Sequence, residues 1–106
     1  MDSVMHLNAV AFEEDGVWIV QGIEYDIATF THDIDNIPEA FMKTVMEYVC
    51  ISAELGRQPL QGIKPAPQRF RDMFERSRSR VSAVEEQVHP VARMTRPIVD
   101  IRLAAA

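Results

Sequence analysis

The segment Glu14-Asp15-Gly16-Val17-Trp18-Ile19-Val20-Gln21 decides the fold class. Asp-Gly between apolar runs marks a two-residue hairpin, because a type I′ turn needs positive φ at both central positions. Working outward, Met5 to Phe12 supplies the incoming strand and Val17 to Gln21 the return strand, which is rich in β-branched and aromatic residues. Gly22 permits a bend or bulge, and Tyr25 to Thr31 reads as a third strand. The second strand is apolar on both faces, with Val17 and Ile19 on one and Trp18 and Val20 on the other. An antiparallel sheet with one wet face alternates cleanly, so the pattern predicts that both faces are covered.

A long helix follows. Asn36 is a good N-cap residue, Glu39 three positions on completes a capping-box pattern, and Pro38 fits the first turn. Ile37, Phe41, Val45, Tyr48 and Ser52 form one stripe, with Met42, Met46, Val49 and Ala53 beside it. The combined stripe is wider than a helix lying on one sheet needs, so it predicts two neighbours: the sheet, and another helix or subunit. Gly56 is placed to end the helix. Residues 57–67 hold three prolines and a glycine and read as an extended connector. A second helix is expected from Pro67 to about Val84, a polar loop from Glu85 to Thr95, and a strand over Ile98 to Leu103.

The totals suit one domain: 106 residues, 47% hydrophobic and 25% charged. No run approaches the ~20 apolar residues of a membrane span, and Met1 to Asn8 lacks the basic start of a secretory leader. With Cys50 as the single cysteine, no internal disulfide can form. These features predict a cytoplasmic protein without membrane contact. The net charge of −5 is unevenly spread: residues 1–55 carry eleven acids and one base, and residues 56–106 carry ten bases and five acids. Charge halves of opposite sign attract over a Debye length of about 10 Å, within a chain or between chains.

Three groups could carry chemistry. Asp26, His32, Asp33, Asp35 and Glu39 could hold a divalent cation or move protons, although acids before a helix also simply favour its positive N-terminal end. Arg69, Arg76 and Arg80 fall on roughly one face of the expected second helix and could track phosphates; alternatively they face the acidic half or water. Cys50, in an apolar helical run, reads as a small core residue or a thiol. His6, His32 and His89 lack zinc-site spacing. No Gly-rich phosphate loop or nucleophile motif is present. The chain is therefore expected to be no enzyme and to use no metal and no cofactor.

The hairpin with the return strand Gly16-Val17-Trp18-Ile19-Val20, the third strand, and the helix start at Asn36, Glu39 and Ala40 make the first ~60 residues resemble a HicB-type domain, the antitoxin of HicA–HicB toxin–antitoxin pairs. The usual Pro-Asp-Leu-Pro-Gly turn is replaced by Gly22-Ile23-Glu24-Tyr25-Asp26. Residues 59–74 resemble a tail of bacterial and phage-borne relatives. The resemblance implies a partial ribonuclease H-like β-β-β-α-β fold without catalytic carboxylates, closed by a strand such as Ile98 to Leu103. Helix then strand after Gly56 is the wrong order for a ribbon-helix-helix, so no DNA-binding module is expected.

The expected architecture is thus α+β: a three- to four-stranded antiparallel sheet on one long helix in residues 1–62, and a C-terminal extension in 63–106 that packs on the same domain or a second subunit. The expected function is protein interaction through homo-oligomerisation and a small basic toxin-like partner. Trp18, Val20, Asp26, His32, Asp33 and Asp35 are the candidate partner surface, and nucleic-acid binding through Arg69, Arg76 and Arg80 is the alternative.

Overall fold

The structure, a computed structural model, describes residues 3–84 and 95–104. Its elements are β1 (Ser3–Glu14), β2 (Val17–Gly22), β3 (Ala28–Thr31), a 3-10 turn (Ile34–Asn36), α1 (Ile37–Glu54), α2 (Gln68–Arg76), β4 (Ser79–Val84) and β5 (Thr95–Leu103). The strands form one five-stranded sheet in the order β3-β2-β1-β5-β4. β1 and β2 pair antiparallel, as do β2 and β3, and β4 and β5; β1 and β5 run parallel. The class is α+β as expected, but the sheet is larger than three or four strands and mixed rather than antiparallel.

The hairpin forms where Asp15-Gly16 marks it. Asp15 has φ 51 and Gly16 φ 80, the two positive values that a type I′ turn demands. β1 and β2 are longer than the apolar pattern suggests, and β3 is shorter. Residues before Ala28 are taken up by a turn in which the Gly22 N–H donates to the Ile27 carbonyl at 2.7 Å, and the Ile27 N–H to the Tyr25 carbonyl at 2.7 Å.

Two expectations about the C-terminal part need correction. The second helix ends at Arg76, and the chain continues as β4 instead of staying helical to Val84. The reason lies in period: Val81, Ser82 and Ala83 alternate at period 2, which outweighs a helical reading once β5 supplies a neighbour. The final strand begins at Thr95 rather than Ile98 and lies inside the sheet, between β1 and β4. The loop expected over residues 85–95 lies, apart from Thr95, outside the described residues.

The core sits between α1 and one face of the sheet. Leu7, Ala9 and Ala11 of β1, Val20 of β2, and Val99 and Ile101 of β5 meet Ile37, Phe41, Met42, Val45 and Val49 of α1. The opposite face is covered in part by α2. Phe70 stacks on Phe12 with ring centroids 5.9 Å apart, and the Arg102 guanidinium lies 4.0 Å from the Phe74 ring while donating to the Phe74 carbonyl at 3.0 Å. α1 thus covers one face of β2, while the contacts of α2 on the opposite face fall on β1 and β5.

The connector from α1 crosses the end of the sheet. Leu60 is fully buried with φ 60, and its N–H donates to Ser52 Oγ at 3.1 Å. The Asp26 N–H donates to the Lys64 carbonyl at 2.7 Å, and the Ala66 N–H to the Ile23 carbonyl at 3.0 Å. These bonds hold residues 60–66 against the β2–β3 turn and deliver the chain to the far face.

Candidate interaction surface

The residues expected at a partner surface are dispersed by the fold. Val20 has no exposed area, so it is core and cannot meet a partner. Trp18 shares its face, is half-buried and packs on the same core. The physical reason is that the Trp18–Val20 face is the one α1 covers. Asp26 is exposed but engaged: its Oδ1 accepts from the buried Gln21 Nε2 at 2.9 Å, and its N–H holds Lys64. Next to it, Glu24 accepts from the Asn8 N–H at 2.7 Å and from Asn8 Nδ2 at 2.8 Å, stapling the turn to β1.

His32, Asp33 and Asp35 are exposed around the 3-10 turn. Asp33 caps that turn, with Oδ1 accepting from the Asp35 N–H at 2.9 Å. Asn36 makes no side-chain capping bond, so the expected Asn36–Glu39 box does not form; the cap has moved to Asp33 because the 3-10 turn precedes the helix. Among the described residues, no three His, Cys, Asp or Glu side chains converge as a metal site would require. Also among the described residues, no helix is long and apolar enough to cross a membrane.

The arginines do not form one stripe. Arg69 and Arg76 lie on α2, whereas Arg80 is on β4, 3.6 Å from Asp100. Arg69 stands over the Phe70 ring at 4.6 Å. The expected helical spacing of the three fails because α2 ends before Arg80. Cys50 is half-buried in α1, and its thiol pKa is raised first by burial and then by the nearby Glu54 carboxylate; both disfavour the thiolate.

What the fold does concentrate is exposed apolar surface. The exposed large hydrophobic residues are Phe30 (72%), Ile34 (45%), Tyr48 (41%), Ile51 (53%) and Leu55 (59%). Phe30 is on β3, an edge of the sheet, and Ile34 is in the 3-10 turn that follows. Tyr48, Ile51 and Leu55 fall on one flank of α1 at helical spacing, and Ala40 and Thr44 continue that flank toward the helix start. Ala40 and Thr44 line a groove of about 370 Å³ between α1 and β3, with Thr29 and Phe30 opposite and Glu39, Lys43 and Glu47 at its rim. The groove joins only the first half of that flank to β3: Phe30 pairs with Ile19, so its side chain lies on the sheet face opposite α1, and Tyr48, Ile51 and Leu55 lie further along α1, outside the groove. The wide stripe on the helix pointed to a second neighbour. Phe30 and Ile34 gave no sequence signal: Phe30 is exposed because α2 packs on β1 and β5 and leaves that end of its face open, and Ile34 lies in the 3-10 turn.

A second cleft, of about 350 Å³, lies between the turn and α2, lined by Ile23, Glu24, Arg71, Phe74 and Glu75. Arg71 Nε is buried there without a hydrogen-bond partner among the described residues. No protein-family model matches the sequence, and neither a curated protein nor a solved structure does.

Proposed function

We propose that the chain is a non-catalytic protein-interaction domain of the HicB-like antitoxin kind, acting through homo-oligomerisation and the binding of a protein partner. The observation that carries this reading is the row of exposed apolar side chains Tyr48, Ile51 and Leu55 along one flank of α1. Scattered exposed apolar residues are ordinary on a folded surface, whereas a contiguous set marks an interaction site. Water contact with apolar area costs about 25 cal/mol per Å², so association that covers this set is favoured.

The antitoxin-like part of the reading is supported by element order. A β1-β2-β3 meander leads into α1, and the strand expected to close the unit falls within β5, beside β1. The partner class follows from charge: Asp33, Asp35, Glu39 and Glu47 are exposed near the apolar surface, and complementary charge speeds and selects association. A small basic toxin-like protein suits that rim.

Light scattering on a sizing column tests self-association. A species of at least twice the 12.1 kDa chain mass is expected, and a monomer at every concentration sinks the reading. For the partner, co-expression with a small basic protein encoded beside this chain is expected to give a complex that weakens in high salt. A retarded band in a low-salt gel shift that is lost on charge reversal of Arg69 and Arg76 would instead favour nucleic acid, since phosphate contacts are strongest there.

A further inference from the structure

We infer that the cleft between the β2–β3 turn and α2 binds a zwitterion, a free α-amino acid with an apolar side chain, whose carboxylate meets Arg71 and whose ammonium meets Glu24. The inference does not rest on the interaction surface proposed above, which lies on α1.

The two walls of the cleft carry opposite charges that do not meet. On the α2 wall, Arg71 makes no hydrogen bond and no ion pair among the described residues, and its Nε is shut off from solvent. Enclosing part of a guanidinium without a partner costs free energy, and a carboxylate on the terminal nitrogens offsets that cost through two parallel charge-assisted bonds. Those terminal nitrogens stay accessible, so a ligand in the cleft can reach them. On the turn wall, Glu24 is held rigidly by Asn8, which donates to both of its carboxylate oxygens at 2.7 and 2.8 Å. A carboxylate oxygen has two acceptor sites, so one on each oxygen remains open. The turn is fastened as well: the Ile23 N–H donates to the Asn8 carbonyl at 2.8 Å, and the Ile23 carbonyl accepts from the Ala66 N–H at 3.0 Å.

The lining selects the ligand. A simple anion at Arg71 faces Glu24 and Glu75, and a simple cation at Glu24 faces Arg71, so neither is matched. A molecule that carries both charges fills the gap between them. Glu75, one helical turn after Arg71, adds a second acceptor for the ammonium. Ile23 and Phe74 supply apolar contact from the two walls, and the Phe74 ring is fixed by the Arg102 guanidinium 4.0 Å away. At about 350 Å³ the cleft is at the small end of ligand sites, which suits an amino acid better than a larger molecule. Such a ligand bridges the fastened turn and α2, none of whose residues is fully buried, so it slows the local opening of α2.

Calorimetric titration of the full chain with L-leucine and L-phenylalanine tests the site. Millimolar or tighter binding of at least one is expected, with amides of α2 exchanging several-fold more slowly in its presence. Three analogues test the chemistry: isocaproic acid is leucine without its amine, isoamylamine is leucine without its carboxylate, and glycine lacks the side chain. Each is expected to bind at least tenfold more weakly, the loss of one charge-assisted or apolar contact. Arg71→Gln is expected to weaken binding at least tenfold with an unchanged circular dichroism spectrum, and Arg57→Gln to leave it unaltered. The analogues are read on the unaltered chain, so the test stands whatever a substitution does to folding. Failure of both amino acids to bind at millimolar concentration overturns the site. Equal binding of isocaproic acid or isoamylamine, or binding that survives Arg71→Gln, overturns the zwitterion assignment.

Discussion

At Gly22 the backbone leaves no room for a side chain. A Cβ there would lie 2.8 Å from the Tyr25 carbonyl, 3.1 Å from the Ile27 carbonyl and 3.2 Å from Phe41 Cζ. The glycine lets α1 close on the β2–β3 turn, and Gly22→Ala is expected to cost about 1–3 kcal/mol in a urea melt, the range of an overpacked core. Ser52 does two jobs at the other end of α1: its hydroxyl donates to the Tyr48 carbonyl at 2.9 Å and accepts from the Leu60 N–H. Ser52→Ala leaves that buried N–H without a partner, and a loss of about 1–3 kcal/mol is expected by the same melt. The thiol of Cys50 gives a kinetic prediction. Burial first, and Glu54 second, raise its pKa, and only the thiolate reacts. Alkylation at pH 8 is therefore expected to be slower than for a cysteine peptide, with Glu54→Gln recovering part of the rate. None of these three roles could be read from residue type alone. Gly22 was legible as a bend, but its packing against Phe41 depends on where α1 lands.

Among the elements, α2 depends most on its neighbours. It has nine residues, below the length at which an isolated helix persists in water, and none of its residues is fully buried. Two contacts hold it: Phe70 on Phe12, and Arg102, which stacks on Phe74 and donates to its carbonyl. Truncation of the arginine in Arg102→Ala removes both the cation–π contact and a hydrogen bond near the helix C-terminus. Amides of α2 are expected to exchange with solvent roughly tenfold faster in that variant, with α1 amides unchanged, because α2 opens locally. The sequence showed α2 starting near Pro67 but not stopping at Arg76. Its arginines suit a helix or an exposed strand equally, and Ser79 to Val84 chose the strand when β5 lay alongside.

For the molecule as a whole, the decisive fact is that β5 sits inside the sheet. Val99 and Ile101 are fully buried, and β5 pairs with β1 along nine residues and with β4 along six. A fragment of residues 1–62, the unit marked off by the sequence, lacks this strand and exposes one side of β1. It is expected to show no cooperative thermal transition by circular dichroism, in contrast to the full chain. The Arg80–Asp100 pair is exposed and lies wholly within residues 56–106, and such pairs contribute little to stability.

By itself, the sequence determined the elements whose signals are local. Asp15-Gly16 dictates its turn through positive φ, the β-branched run after it makes a strand, and residues 37–54 make an amphipathic helix with an apolar stripe too wide for one neighbour. Only the tertiary structure decided which strand lies beside which, that β5 runs parallel to β1, that Trp18 and Val20 face α1, and that β3 is left at an edge with Phe30 in the open. Periodicity records which residues share a face over a few turns or pleats. It carries no record of long-range neighbours, and those neighbours determine which apolar face is core and which stays exposed.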